Sequence, residues 1–306
     1  MVIEAKAFSP GHITCFFQIC DAPIDPLLKG SKGAGFSIQH GVITRVQVTP
    51  SNNTSVKISM NGKSCDAEVT QTVAGLALDL ALQKHGKEYD VKIRQEMQIP
   101  VGAGFGASGA AALSTSLALN YALNLGLTKN KSAQLAHIAE VTHKTGLGDV
   151  IAQNEGGVEI RIRPGAPGYG QIDIVPSACD FAVVCGSVGK LETKEVLSNP
   201  EKRKKINEAG DRLVKELLKE ASVDNLISLS KSFTKQTGLA SQTVTNTIRC
   251  LEDAGFKNCS MVMLGQSVFC LVNDKYSENV YAIIEECMPD GVVFISKIDN
   301  IGARLI

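Results

Sequence analysis

Residues 99–125, IPVGAGFGASGAAALSTSLALNYALNL, constrain this chain more than any other stretch. Gly102, Gly104, Gly106 and Gly109 alternate with small residues, and an Ala- and Leu-rich run without further Gly or Pro follows at once. A glycine loop feeding a helix N-terminus presents backbone N–H groups and the positive end of the helix dipole, a natural seat for a phosphate chain. Ser108 stands where a hydroxyl reaches a phosphate or the magnesium ion that accompanies one. The plainer alternative is a glycine-rich turn before an ordinary core helix. Among phosphate loops, a Walker loop needs Gly-Lys-Ser or Gly-Lys-Thr, and no lysine lies between Arg94 and Lys129. A dinucleotide fingerprint needs an acidic residue about 20 positions on, and residues 115–135 hold no Asp or Glu. A protein-kinase glycine loop would lead into a strand. What remains is Pro-x-Gly-x-Gly-x-Gly-x-Ser, from Pro100 to Ser108, at a helix start.

The chain before this loop is rich in strands. Residues 2–8 alternate as a strand and run into Ser9-Pro10-Gly11-His12-Ile13-Thr14, which reads as a turn presenting His12 and Thr14 at its edge. Residues 28–37, LKGSKGAGFS, read as a second glycine-rich loop, a solvated connector or a ligand contact. Val42, Ile43, Val46 and Val48, then Val56, Ile58 and Met60, predict strands and hairpins closed by Asn61-Gly62. Val69, Val73, Leu76 and Leu80 recur at helical spacing within 66–83, ahead of Gly86, and Tyr89, Val91 and Ile93 share one face of a strand over 89–97. Such an order suits an α+β sandwich better than a doubly wound sheet.

Within the loop's helix Leu113, Leu117 and Tyr121 form one stripe, expected in the core. The next helix, 131–143, buries Leu135, Ile138 and Ala139 and points Glu140 and His143 elsewhere. A strand over 158–163 places Arg161 and Arg163 on one face; either of them, Lys29 or Lys32 is a candidate to hold a substrate carboxylate, solvent exposure being the alternative for each. The run Pro164 to Gly170 is the best linker, so domains are expected at 1–166 and 167–306. Beyond it, a strand at 181–184, helices at 199–219 and 243–254, strands at 260–264 and 268–272, a helix at 278–286 and a strand at 292–298 suggest a ferredoxin-like layer. The basic run 202–205 reads as a solvated helix face.

Charge balances at 31 basic and 31 acidic residues, which argues against nucleic acid or an anionic membrane as the main partner. No apolar run approaches the roughly 20 residues of a membrane span, and the N-terminus lacks the features of a secretion signal. Nine cysteines without a CxxC pair suggest a reducing cytoplasm and buried thiols. Cys15 and Cys20 are either packing residues or a disulfide or metal pair.

The Pro100-to-Ser108 pattern, Pro10-Gly11-His12 near the N-terminus, and Thr145-Gly146-Leu147-Gly148-Asp149 followed by Gly156-Gly157 together resemble, in order, the motifs of the GHMP kinase superfamily. Two departures stand out: Ala107 replaces the first of the family's two loop serines, and the third motif, 263–268, keeps only Gly265. The resemblance implies an α+β, two-domain GHMP kinase fold, with a ribosomal protein S5 domain 2-like N-terminal domain and a ferredoxin-like C-terminal domain. It also implies ATP and Mg2+ as cofactors, with Pro100, Gly102, Gly104, Gly106, Ser108 and Gly109 around ATP and Ser108 and Glu140 on the metal. Asp149 would address the acceptor hydroxyl, as a base or as an orienting group, with His12 beside it; His12, Thr14, Ser31 and Lys32 would bind the acceptor. Without the resemblance, Asp149 after a glycine reads as a helix cap. Among GHMP kinases the Gly-His-Ile-Thr segment looks most like the archaeal pantoate kinases, which implies pantoate as acceptor, coenzyme A biosynthesis as setting and a homodimer as the family expectation. Another acceptor (homoserine, shikimate or mevalonate) and a non-catalytic nucleotide- or metabolite-binding regulator are the alternatives.

Overall fold

The computed structural model describes residues 2–176, 181–190 and 199–306. Strand β1 (Ile3–Cys20) runs antiparallel to β2 (Gly30–Ser51), from Ile3 opposite Val48 to Cys20 opposite Gly30. The turn expected at Ser9–Thr14 is therefore strand, and so is the expected glycine loop from Gly30 onward. Register shifts at Pro10/Gly11 and Thr14/Phe16 absorb the proline's missing N–H and bend the ribbon. The glycines serve close approach of the two backbones rather than looping. A Cβ on Gly35 would lie 2.2 Å from the Ile13 carbonyl oxygen, and one on Gly41 2.1 Å from that of Ser9.

Strand β3 (Ser55–Met60) turns through Asn61-Gly62 into β4 (Lys63–Ser64), and α1 (Glu68–His85) ends at Gly86 in a left-handed conformation. Strand β5 (Glu88–Met97) inserts between β2 and β3, antiparallel to the first and parallel to the second. Helices α2 (Ala107–Ala122), α3 (Lys129–His143) and α4 (Asp149–Glu155) follow, then β6 (Val158–Arg163), paired with β2, and β7 (Gln171–Ile174), paired with β6. One core lies between this sheet and the helices, where Val46, Val48, Val91 and Ile93 meet Val73, Ala77, Leu113 and Leu119. Tyr121 does not join it: the ring is 62% exposed, whereas Leu113 and Leu117 are buried. Helix α2 is buried on nearly every side until its last turn, so a three-residue stripe does not mark its core face.

The second half comprises β8 (Phe181–Lys190), α5 (Pro200–Leu217), α6 (Val223–Thr237), α7 (Gln242–Asp253), β9 (Cys259–Val262), β10 (Gly265–Asn273), α8 (Ser277–Cys287) and β11 (Val292–Lys297). Its sheet runs β11-β8-β10-β9 with every neighbour antiparallel. By rank in the chain that is 4-1-3-2, the order of a ferredoxin-like split βαβ layer. Sequence reading missed α6, which is capped by Ser222 and buries Leu226, Ile227 and Phe233.

The chain's end, β12 (Arg304–Leu305), returns to pair with β1. The boundary expected at 166/167 falls in the connection between β6 and β7, both in the first sheet; the first strand of the second sheet is β8, so that change of sheet falls between Ile174 and Phe181, later than the Pro/Gly composition suggests. A larger core joins the two sheets. Phe36 packs edge-on against Phe269 at 5.3 Å between ring centroids, and Phe17 tilts against Phe233 at 5.6 Å. The eight described cysteines are free thiols, with Cys15 buried in this core and Cys20 half-buried; Cys179 lies outside the described residues.

Candidate active site

Gly102, Gly104 and Gly106 all have φ in the left-handed region, at 80°, 87° and 63°. Gly106 caps α2 without any side-chain hydrogen bond, so the first-turn N–H groups of the helix are left for a guest. The opposite wall comes from the second domain. A Cβ on Gly265 would sit 1.9 Å from the Ala103 carbonyl oxygen, and Ser267 Oγ donates to that same oxygen at 2.7 Å. The thinned third motif thus still closes on the phosphate loop, by direct contact and one serine rather than by a run of glycines. Met263 and Leu264 beside it line the same cleft.

On the cleft's other side Ser108, in the first turn of α2, donates to Glu140 Oε1 at 2.5 Å, and Thr145 donates to the same oxygen at 2.7 Å. Glu140 is 2% exposed, not pointing to solvent as its helix position suggested. Burial pushes its pKa up to about 7 against the lowering by those two hydroxyls, and the Asp149 charge adds to the rise. A hydroxyl and a carboxylate oxygen side by side are the hard donors a magnesium ion takes, and magnesium needs only one or two such groups when phosphates and water supply the rest. Among the described residues no three His, Cys, Asp or Glu side chains gather into a metal-holding group.

Asp149 opens α4 and is partly exposed to the cleft. Behind it His12, 0% exposed, sets Nδ1 2.9 Å from Asp149 Oδ1 and Nε2 3.0 Å from Glu159 Oε1. Burial by itself would lower the His12 pKa; the charge of Glu159 and the hydrogen bonds of both carboxylates outweigh it and hold the imidazole above its ordinary value. Arg161, 1% exposed, lines the cleft and donates through Nη1 to Glu159 Oε1, while its Nε has no partner. The exposure open to each basic residue therefore does not hold for Arg161. A register shift between Arg161 and Arg163 separates the two, and Arg163 is exposed.

Thr14, Ser31, Gly102, Gly104, Gly106, Ser108, Gly109, Glu140, Arg161 and Asp149 are thus brought to one cleft. Five sequence candidates are not: Lys29, half-buried just before β2, and the exposed Arg163 do not line it, nor do three others. Pro100 precedes the cleft-lining part of the loop, and His12 reaches the cleft only through Asp149 and Thr14. Lys32 lies 3.4 Å from Asp211, away from the cleft, because successive residues of β2 face opposite ways and Ser31 takes the inner one. Glu159 escaped sequence reading. Its signal was the alternation of β6, which sets Glu159 and Arg161 two apart and so puts an acid and a base on one face.

Phosphoryl transfer has little covalent chemistry for a protein to perform; positioning and charge neutralisation do most of it. A cradle of N–H groups, hard donors for a cation and a carboxylate at the far wall meet that demand, and with this two-layer fold they define a small-molecule kinase of the GHMP class; residues 71–157 match the GHMP kinases N terminal domain. Pantoate kinase of Thermococcus kodakarensis is 37% identical over 92% of this chain and 92% of its own, and that of Methanocaldococcus jannaschii 36% identical over 91% and 96%. A solved structure described as a phosphotransferase related to the CoA biosynthesis pathway superposes with a TM-score of 0.88 at 34% identity, covering 100% of this chain and 99% of that one. The chain belongs to the pantoate kinase family. Among the described residues no helix is long and apolar enough to cross a membrane.

Proposed function

We propose that this chain transfers the γ-phosphoryl group of ATP to the 4-hydroxyl of pantoate. The observation that carries the acceptor is Arg161: a buried guanidinium in the cleft wall with an unpartnered Nε is a seat for an anionic group, and pantoate's carboxylate is such a group. Phe17 and Leu147 offer apolar surface to the dimethyl carbon, and Ser31 and Thr14 offer hydroxyls to pantoate's polar edge.

In this reading the main-chain N–H groups of the 102–109 loop hold the ATP phosphates. Ser108 and Glu140 hold a magnesium ion, which when bound neutralises charge on the phosphates. Asp149 receives the hydroxyl. Its Oδ1 is already engaged by His12, so the other oxygen is left to orient the acceptor O–H and to take its proton late, as a loose transition state requires.

An equimolar mixture of pantoate, homoserine, shikimate and mevalonate, incubated with ATP and magnesium and read by mass spectrometry, tests the acceptor. Phosphopantoate as the dominant product is expected. Dominant phosphorylation of another acid would replace pantoate by that acid, and ATP binding with no product would favour a binding protein.

A further inference from the structure

Four charged side chains form a line that joins two points of the cleft wall, Asp149 and Arg161, through His12 and Glu159 in the interior behind it. Glu159 is 0% exposed and sits third in that line. Its strand β6 places it opposite Gly35 of β2, and a Cβ on Gly35 would come 2.9 Å from His12 Nε2. The absence of a side chain there is what lets the histidine and the glutamate meet. Carboxylates only accept hydrogen bonds, so an imidazole between two of them satisfies both only when both its nitrogens carry protons. The charges then alternate from Asp149 to Arg161, and Arg161 Nη1 stands 3.4 Å from His12 Nε2, two cations held together by the one carboxylate between them.

We infer that Glu159 is a positioning residue that ties the two ends of the acceptor site together, holding Arg161 at one end and, through His12, Asp149 at the other. The inference rests on the proposed acceptor for its kinetic consequence and not for its structural one. Remove the charge of Glu159 and the two cations repel in a dry interior. The guanidinium then turns away or His12 gives up a proton, and the distance between carboxylate seat and hydroxyl seat is no longer fixed. The charged groups that face His12 are Asp149 on α4 and Glu159 and Arg161 on β6, and the Thr14 hydroxyl lies 3.4 Å from its Nδ1. Cys15 on β1 also faces Glu159; burial, with the Glu159 charge, pushes its pKa up and keeps it a neutral thiol.

The test is Glu159→Gln, which keeps shape and removes charge, beside Glu159→Asp, which keeps charge. Nitrogen-15 NMR of the His12 ring at neutral pH reads its protonation whatever the acceptor is. The inference expects a doubly protonated ring in the wild-type chain and a neutral ring, or a displaced Arg161 side-chain resonance, in Glu159→Gln. Kinetically, KM for pantoate rises and kcat falls, each by roughly tenfold or more for a misplaced acceptor, while KM for ATP stays within about twofold. Glu159→Asp recovers part of the loss. A protonated His12 and unmoved Arg161 in Glu159→Gln overturn the inference, as does a rise in both KM values together. If Glu159→Gln melts too early to study, Glu159→Asp, whose shorter side chain cannot span His12 and Arg161 as Glu159 does, takes its place, and unchanged kcat and KM for pantoate in it also overturn the inference. The expected NMR change with no turnover of pantoate by the wild-type chain leaves Glu159 as inferred and refutes the acceptor instead.

Discussion

Gly265→Ala tests how the two domains share the phosphate site. The added Cβ would lie 1.9 Å from the Ala103 carbonyl oxygen, 2.5 Å from its carbon and 3.0 Å from the Gly104 nitrogen. All three are backbone atoms, so no side chain can swing aside. Restoring even the 3.0 Å limit of real Cβ contacts needs about 1.1 Å of separation, from 3.0 minus 1.9. Both loops are tethered, β10 by its sheet partners and the phosphate loop by α2, so the movement falls on the residues between Ala103 and Gly106. A displacement near 1 Å at a positioning element costs on the order of a hundredfold in rate, and overpacking costs about 1–3 kcal/mol in stability. Steady-state kinetics should therefore show a raised KM for ATP and kcat/KM down by about two orders of magnitude, a scale set by that positioning cost. Gly75→Ala, at a helix position where a Cβ meets nothing within 4 Å, is the control and should be neutral or slightly stabilising. Full activity with unchanged KM for ATP in Gly265→Ala would refute the claim that the second domain presses on the phosphate loop.

Other substitutions separate chemistry from architecture. Asp149→Ala should lower kcat by about 10²–10⁴ while calorimetric ATP affinity holds, since the phosphate cradle is built from other residues. Glu140→Gln should abolish magnesium-dependent turnover yet stabilise the unliganded protein at pH 8. The sign follows from the raised pKa: between the unfolded carboxyl's ordinary value and about 7 the folded state holds the extra proton, so stability falls as pH rises through that window and stays low above it. The gain at pH 8, on the order of 3 kcal/mol, should vanish near pH 4 in thermal melts. Tyr121→Lys, at a ring that is 62% exposed, should change stability by no more than about 0.5 kcal/mol.

What was legible in the sequence were features whose cause is local. The loop from Gly102 to Gly109 announces itself because left-handed φ values and an unobstructed helix N-terminus each demand small residues at fixed places, and the short apolar runs of the last three strands mark them as strands directly. The long hairpin of β1 and β2 was hidden because Gly35 and Gly41 are glycine for the sake of a strand far off in sequence, and local rules read such glycines as loops. Lys32 looked like a cation near the substrate until the strand's alternation assigned the inner face to Ser31. Glu159, Arg161 and His12 lie 147 and 149 positions apart across the line they form, so no window contains it. Buried charge of that kind shows only once β6 is laid against β2.

In the proposed reaction one cleft holds a carboxylate at Arg161 and a hydroxyl at Asp149 for phosphorylation by ATP. The most direct measurement compares ADP release with pantoate and with the uncharged triol in which its carboxylate is reduced, on the wild-type chain and on Arg161→Met. The wild-type chain should strongly prefer pantoate, and Arg161→Met, still folded and still binding ATP, should lose most of that preference through the KM for pantoate. An undiminished preference in Arg161→Met, or equal use of acid and triol by the wild-type chain, would contradict it.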